Sequence, residues 1–225
     1  MTQTELQNHC WKACYRLGDI EIVKDCLAKG MDINARAEIS GAVPLDAAIY
    51  GGHHHIVDYL LTQGADVNAV GYEEGTILMA AANQGDFEVV AKLLAHKADP
   101  NLVSQTTGEG PLHAAAAKAF NEGAYECVKL LLEAGANPNA KAKSGIYTAT
   151  YYRDIKVVGE TPLHLAAAYG STEMIKILLD YKADPAIKDD RGESPLTWYS
   201  RHQRTSDHRK LDRDSRDLLL YGEWK

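Results

Sequence analysis

The chain has 225 residues, 45% of them hydrophobic and 24% charged, with a formal net charge of −7 and an isoelectric point near 5.7. This acidic balance argues against nucleic acid as the main partner, because phosphate binding needs a basic face. No apolar run approaches the roughly 18 residues of a membrane span, and the opening MTQTELQNHCWKACYRLGD has no signal-peptide apolar stretch, so no membrane association is expected.

Along the chain, Glu5–Arg16 reads as a first short helix and Gly18-Asp19 starts a second, with Ile22-Val23 and Cys26-Leu27 at helical spacing; Gly30-Met31-Asp32-Ile33-Asn34 closes the unit. Trp11 is expected to pack beneath this end unit. The clearest copy of the pattern is Gly159–Pro185, GETPLHLAAAYGSTEMIKILLDYKADP. Thr161 can cap a helix, Pro162 fits its first position, Gly170 stops it, and Met174–Leu179 forms a second apolar run. Neither helix is long enough to stand alone, so the unit must stack on copies of itself.

Those copies are present. Pro44-Leu45, Ile77-Leu78, Pro111-Leu112, Pro162-Leu163 and Pro195-Leu196 recur at steps of 33, 34, 51 and 33 residues. Val57–Leu61, Val90–Leu94, Val128–Leu132 and Ile175–Leu179 repeat in phase, each followed by Gly-Ala-Asp/Asn or a close variant such as Gly64-Ala65-Asp66-Val67-Asn68. From about Leu6 to Leu196 this TPLHxAA, GxxExxxxLL and GADxN pattern resembles the ankyrin repeat family. The resemblance implies an all-α, right-handed solenoid of antiparallel helix pairs joined by β-hairpin loops that project to one side.

On that pattern the chain reads as one domain, 1–225, of about six repeats: an N-terminal cap at 4–37, repeats at 38–70, 71–104, 105–141 and 159–188, and a C-terminal cap at 189–225. Two departures stand out. Leu112 to Leu131 is 19 residues where the other repeats have 15, so four residues are added within Ala117–Ala124. The expectation is one more helical turn, with Lys118, Phe120 and Asn121 protruding. Asn139 to Thr161 is 22 residues where Asn68 to Thr76 is 8, an insertion of about 14 residues. The inserted Ala142–Val158 is dense in β-formers and reads as an elongated β-finger turning near Tyr151–Asp154. In the last repeat, RHQRTSDHRKLDRDSR interleaves acids with bases and reads as a solvated capping helix, with Leu211 and Asp217–Leu220 in its outer helix.

Candidates for chemistry are few. His113 and His164 hold a repeat motif position, for which the resemblance implies a structural bond between successive loops. His53-His54-His55 cannot converge on one ion, since neighbouring helix positions diverge by about 100°. His9, Cys10 and Cys14 lack a fourth ligand. Cys14 falls at a core alanine position and Cys26 and Cys127 on apolar helix faces, so all four cysteines read as reduced core residues of a cytosolic protein. No catalytic residue, metal or cofactor is expected.

The resemblance instead implies a partner protein held along a concave surface of hairpin tips and inner-helix ends. Carried over, the exposed positions are Arg36, Tyr50, Val70, Tyr72, Glu73, Asn83 and Gln84 in the first half. In the second half they are Lys118, Tyr169, Arg191, Arg201 and His202. Phe120 on the bulge and Tyr147, Tyr151, Tyr152 and Arg153 on the finger add residue types enriched at binding hot spots. Glu73, Glu74, Glu109 and Glu160 near the hairpins hint at a basic partner. The function expected is therefore a non-catalytic, monomeric protein–protein interaction module. A secreted bacterial effector acting on a host protein in the host cytosol is the alternative, and a metal-binding or enzymatic protein using His and Cys is the alternative of another class.

Overall fold

The computed structural model describes residues 2–38, 41–71, 75–119, 121–148, 155–202 and 219–220, and the side chains of all of these except 146–148, 155–157, 201 and 202. These residues belong to two compact units, Met1–Ala81 with Glu88–Asp99, and Ala82–Phe87 with Pro100–Lys225.

In the first unit, Thr2 caps α1 (Gln3–Lys12): its hydroxyl accepts the Glu5 N–H at 3.2 Å and the Glu5 carboxylate accepts the Thr2 N–H at 2.8 Å. The helix runs on through a π turn, Ala13–Leu17, that ends at Gly18. Trp11 is half-buried there and lies against Tyr15, ring centroids 5.0 Å apart. Asp19 then caps α2 (Ile20–Ala28), accepting the N–H groups of Glu21 and Ile22. Pro44 opens α3 (Pro44–Tyr50) where a missing N–H costs nothing, and α4 (His54–Thr62) follows. The first turn and a half of α5 (Ile77–Gln84), and all of α6 (Phe87–Ala95) after its first residue, complete the unit. Leu45, Ile49, Ile56, Leu60, Leu78 and Leu93 are fully buried between these helices. Small residues such as Ala13, Ala47 and Ala48 let the inner helices approach closely.

The second unit repeats the design with α7 (Pro111–Ala117), α8 (Ala124–Glu133), α9 (Pro162–Tyr169), α10 (Thr172–Asp180) and α11 (Pro195–His202). Inner helices α7, α9 and α11 pack in succession, with α8 and α10 behind them. Beyond α11, Leu219 is buried in a helical segment; of the charged stretch read as a capping helix, Arg201 and His202 end α11 and residues 203–216 lie outside the described residues.

Both departures from the repeat have a structure. The four added residues do not lengthen the helix. α7 stops at Ala117, and residues 118–119 and 121–123 form turns in which Asn121 is half-buried and donates its side-chain amide to the Asn83 carbonyl at 3.1 Å. A Cβ at Gly123 would lie 2.3 Å from the Gly85 carbonyl, so this loop presses on the α5–α6 turn instead of protruding. The long insert forms an antiparallel ribbon of β1 (Ser144–Thr148) and β2 (Ile155–Val158). Ser144 stands opposite Val158, Tyr147 opposite Lys156 and Thr148 opposite Ile155, with a bulge between the first two pairs.

Candidate protein-binding surface

What fixes the exposed loops is a set of bonds passed from one repeat to the next. In the first unit the Asn34 side-chain oxygen accepts the Asp66 N–H at 2.9 Å, and Asn68 accepts the Asp99 N–H at 2.8 Å. In the second, Asn101 accepts the Asn137 N–H at 2.8 Å and Asn139 the Asp184 N–H at 2.7 Å. The amide groups of Asn101 and Asn139 also donate to Gly135 and Lys182 carbonyls, both at 2.9 Å. Asparagine suits this position because its short side chain carries an acceptor oxygen and a donor amide on separate atoms, so it can serve two partners at once. The repeated motif was visible in the sequence; this bridging role was not.

A second ladder joins the hairpins ahead of the inner helices in the second unit. The Lys143 N–H donates to the Thr107 carbonyl and the Asp190 N–H to the Val158 carbonyl, each at 2.7 Å. Lys141 Nζ lies 3.2 Å from the Asp190 carboxylate and 3.1 Å from the Lys188 carbonyl. A hydrogen bond from Ser144, and then Lys141, hold the Asp190 carboxyl below its ordinary range, so it stays ionised. His164 serves the same end from below. Its Nδ1 accepts the Thr161 N–H at 3.1 Å and its Nε2 donates to the Glu193 carbonyl at 3.1 Å. Its ring packs edge-on against Trp198, whose Nε1 donates to buried Asp189 at 2.9 Å. The structural role expected for His164 is thus realised in the geometry. His113 accepts the Gly110 N–H in the same way at 3.2 Å.

Of the residues anticipated on the surface, Arg36 and Arg191 are exposed on hairpins, and Tyr50, Gln84, Lys118 and Tyr169 are half-exposed at inner-helix ends. Asn83 is a correction: it is only 8% exposed, covered by the fold-back loop that bonds to its carbonyl. Glu109 and Glu160 are a second correction, each 2% exposed. Glu160 turns inward to accept the Val158 N–H at 2.8 Å, so neither carboxylate supports a basic partner. Tyr72, Glu73, Glu74, Phe120, Tyr151, Tyr152 and Arg153 lie outside the described residues, as do the side chains of Tyr147, Arg201 and His202.

Of the histidine triplet, His53 and His55 share the surroundings of Gly18, with ring centroids 6.1 Å apart, and His54 points away from them. His53 packs beside Gly18, His54 Nδ1 reaches Glu88 at 3.5 Å, and His55 Nε2 meets the Gly18 carbonyl at 3.0 Å. The cysteines are buried thiols, with Cys10 and Cys14 sulfurs 4.0 Å apart. Burial pushes Cys26 up to about 11 and Cys127 up to about 12. Among the described residues no three His, Cys, Asp or Glu side chains are placed to hold a metal ion, and no helix is long and apolar enough to cross a membrane.

Helix pairs of about thirty residues, tied loop to loop and presenting hairpins, define a repeat protein of the display kind. The chain belongs to the ankyrin repeat family: profiles described as ankyrin repeats in three copies match residues 10–104 and 70–142, and one described as ankyrin repeats in many copies matches 158–197. The ribbon fills the gap between the last two matches. A crystal structure of an ankyrin repeat domain from Acinetobacter baumannii AYE is similar with a TM-score of 0.72 at 25% identity, covering 94% of this chain and 95% of that one. The chicken nuclear factor NF-kappa-B p105 subunit is 28% identical over 195 residues, 75% of this chain and 20% of that protein. The E3 ubiquitin-protein ligase XBAT33 of Arabidopsis thaliana is 34% identical over 155 residues, 63% of this chain and 29% of that protein. The chain thus spans less than a third of either relative, and the likeness to the ligase is carried by its ankyrin repeats. Ankyrin repeats generally act as non-catalytic protein-binding modules.

Proposed function

We propose that this chain is a monomeric, non-catalytic module that binds a partner protein through its hairpin tips, inner-helix ends and inserted ribbon. The observation that carries this reading is the pinning of the hairpins by Lys143–Thr107 and Asp190–Val158 backbone bonds while their outer side chains stay exposed. Loops fixed before contact lose little ordering entropy on binding. The four buried thiols, free of disulfides, suit a reducing compartment such as the cytosol. The test replaces residues 145–157 by an Asn-Gly turn, which keeps the Ala142 and Val158 contacts of an ordinary hairpin. Partners captured by the intact chain and lost by the trimmed one, at unchanged helical content, support the ribbon's part; capture of the same partners by both removes it. One variant of this reading has the bound protein in a host cell; a bacterial source among the similar ankyrin domains is compatible with it. A translocation reporter fused to the chain checks it, and a reporter that never reaches host cytosol ends it.

A further inference from the structure

The charges on the last three hairpins are sorted by burial. Among the described residues of hairpins 104–109, 141–145 with 158–160, and 188–193, Glu109, Glu160 and Asp189 are buried and Glu193 is half-buried. Lys141, Lys143, Lys188 and Arg191 are all exposed. Asp190 is the one exposed carboxylate of this set, and Lys141 neutralises it. Lys143, Lys188 and Arg191 therefore present positive charge on adjoining hairpins held in place by backbone bonds. The ribbon continues the trend in its sequence: residues 141–158 hold Lys141, Lys143, Arg153 and Lys156 against Asp154 alone. This strip is basic in a chain whose net charge is −7.

Resting on the display reading above, we propose that these hairpin tips bind an Asp/Glu-rich segment of the partner protein. Complementary charge at short range attracts such a segment, steers its approach and fixes its register. A protein segment fits better than nucleic acid. A short acidic peptide feels mainly the charges within about 10 Å, whereas a polyphosphate strand long enough to leave the tips meets the acidic remainder of the chain. Three side chains turned inward, Glu109, Glu160 and Asp189, are the reason that this polarity is hidden in the sequence.

The test is fluorescence anisotropy with the intact chain and a labelled oligoglutamate peptide. An oligolysine peptide of equal length and a single-stranded oligothymidylate serve as comparisons. Oligoglutamate is expected to bind, oligolysine to fail, and the affinity to fall several-fold between about 0.1 M and about 0.3 M salt. Combining Lys143→Glu, Lys188→Glu and Arg191→Glu is expected to weaken binding about tenfold or more, while Lys129→Glu on α8 leaves it unchanged. The milder Lys143→Gln, Lys188→Gln and Arg191→Gln set, checked by circular dichroism, covers the case in which charge reversal perturbs folding. Absence of oligoglutamate binding, equal binding by the reversed variant, or tighter binding of oligothymidylate would overturn the proposal. A partner that is kept by the charge-reversed chain and lost by the ribbon-trimmed chain would sink the charge argument alone and leave the display reading standing.

Discussion

Asn139 carries two bonds between repeats, accepting from Asp184 and donating to Lys182. Replacing it by alanine removes both, and at about 0.5–1.5 kcal/mol each the loss should be about 1–3 kcal/mol in chemical denaturation. Asn139→Asp keeps the acceptor and loses the donor, so it should cost about half as much; an aspartate as damaging as alanine would show that the ladder is not what this side chain supplies. His164 makes a different prediction. Burial is the largest influence on its ring and lowers its proton affinity from the ordinary 6.5, against a smaller raising effect of the Glu193 carbonyl. In the window below 6.5 the unfolded chain then binds more protons than the folded one, so stability rises with pH there and is lost as pH falls. His164→Gln removes this titration. Its stability-against-pH curve should be flatter below pH 6.5 than the wild-type curve, and a curve of equal slope would show that other groups set the acid limit.

At the scale of elements, the fold-back loop between α7 and α8 is held by glycine. Gly123 sits at φ 82°, and a Cβ there would meet both the Gly85 carbonyl and the Phe87 ring. Gly123→Ala should therefore destabilise by about 2 kcal/mol or more through backbone strain and displacement of the loop, whereas Ala119→Ser, beside it but half-exposed, should be nearly neutral. Equal midpoints for both variants in urea would contradict the clamp. This loop also marks where sequence reading stops. Counting from Leu112 to Leu131 located four added residues to within a few positions, but length cannot distinguish a helical turn from a loop pressed on a previous repeat. That contact depends on Gly85, 38 residues away from Gly123, and no local propensity encodes it. The helix pairs and the ribbon were legible because each rests on local signals: proline at the first helical position, 3.6-residue apolar spacing, and a run of β-formers. Burial of Asn83, Glu109 and Glu160 was not legible. Their sequence positions are those of exposed tips; Asn83 is covered by a loop 38 residues further on, and Glu160 turns in to the Val158 N–H of its own hairpin, neither of which apolar periodicity reports.

For the molecule as a whole, two compact units, each built from repeats that contact their neighbours, imply that opening need not be all-or-none. The cysteines report on this separately, since Cys26 lies in the first unit and Cys127 in the second, both fully buried with raised proton affinity. A buried, protonated thiol reacts with alkylating reagents only after its surroundings open, so the labelling rate of each cysteine measures the local opening free energy. Leu131→Ala in α8 empties a fully buried site in the second unit and should cost about 2–5 kcal/mol. Read by peptide mass after pulsed alkylation, this variant should speed labelling of Cys127 by about thirtyfold or more and that of Cys26 far less. If both cysteines accelerate equally, the chain opens as one cooperative body and its units have no separate stability. If they part, trimming a hairpin in one unit leaves the other able to fold, which is what allows a repeat protein to carry a fourteen-residue insertion in one hairpin without losing the helices that hold the rest of its surface in place.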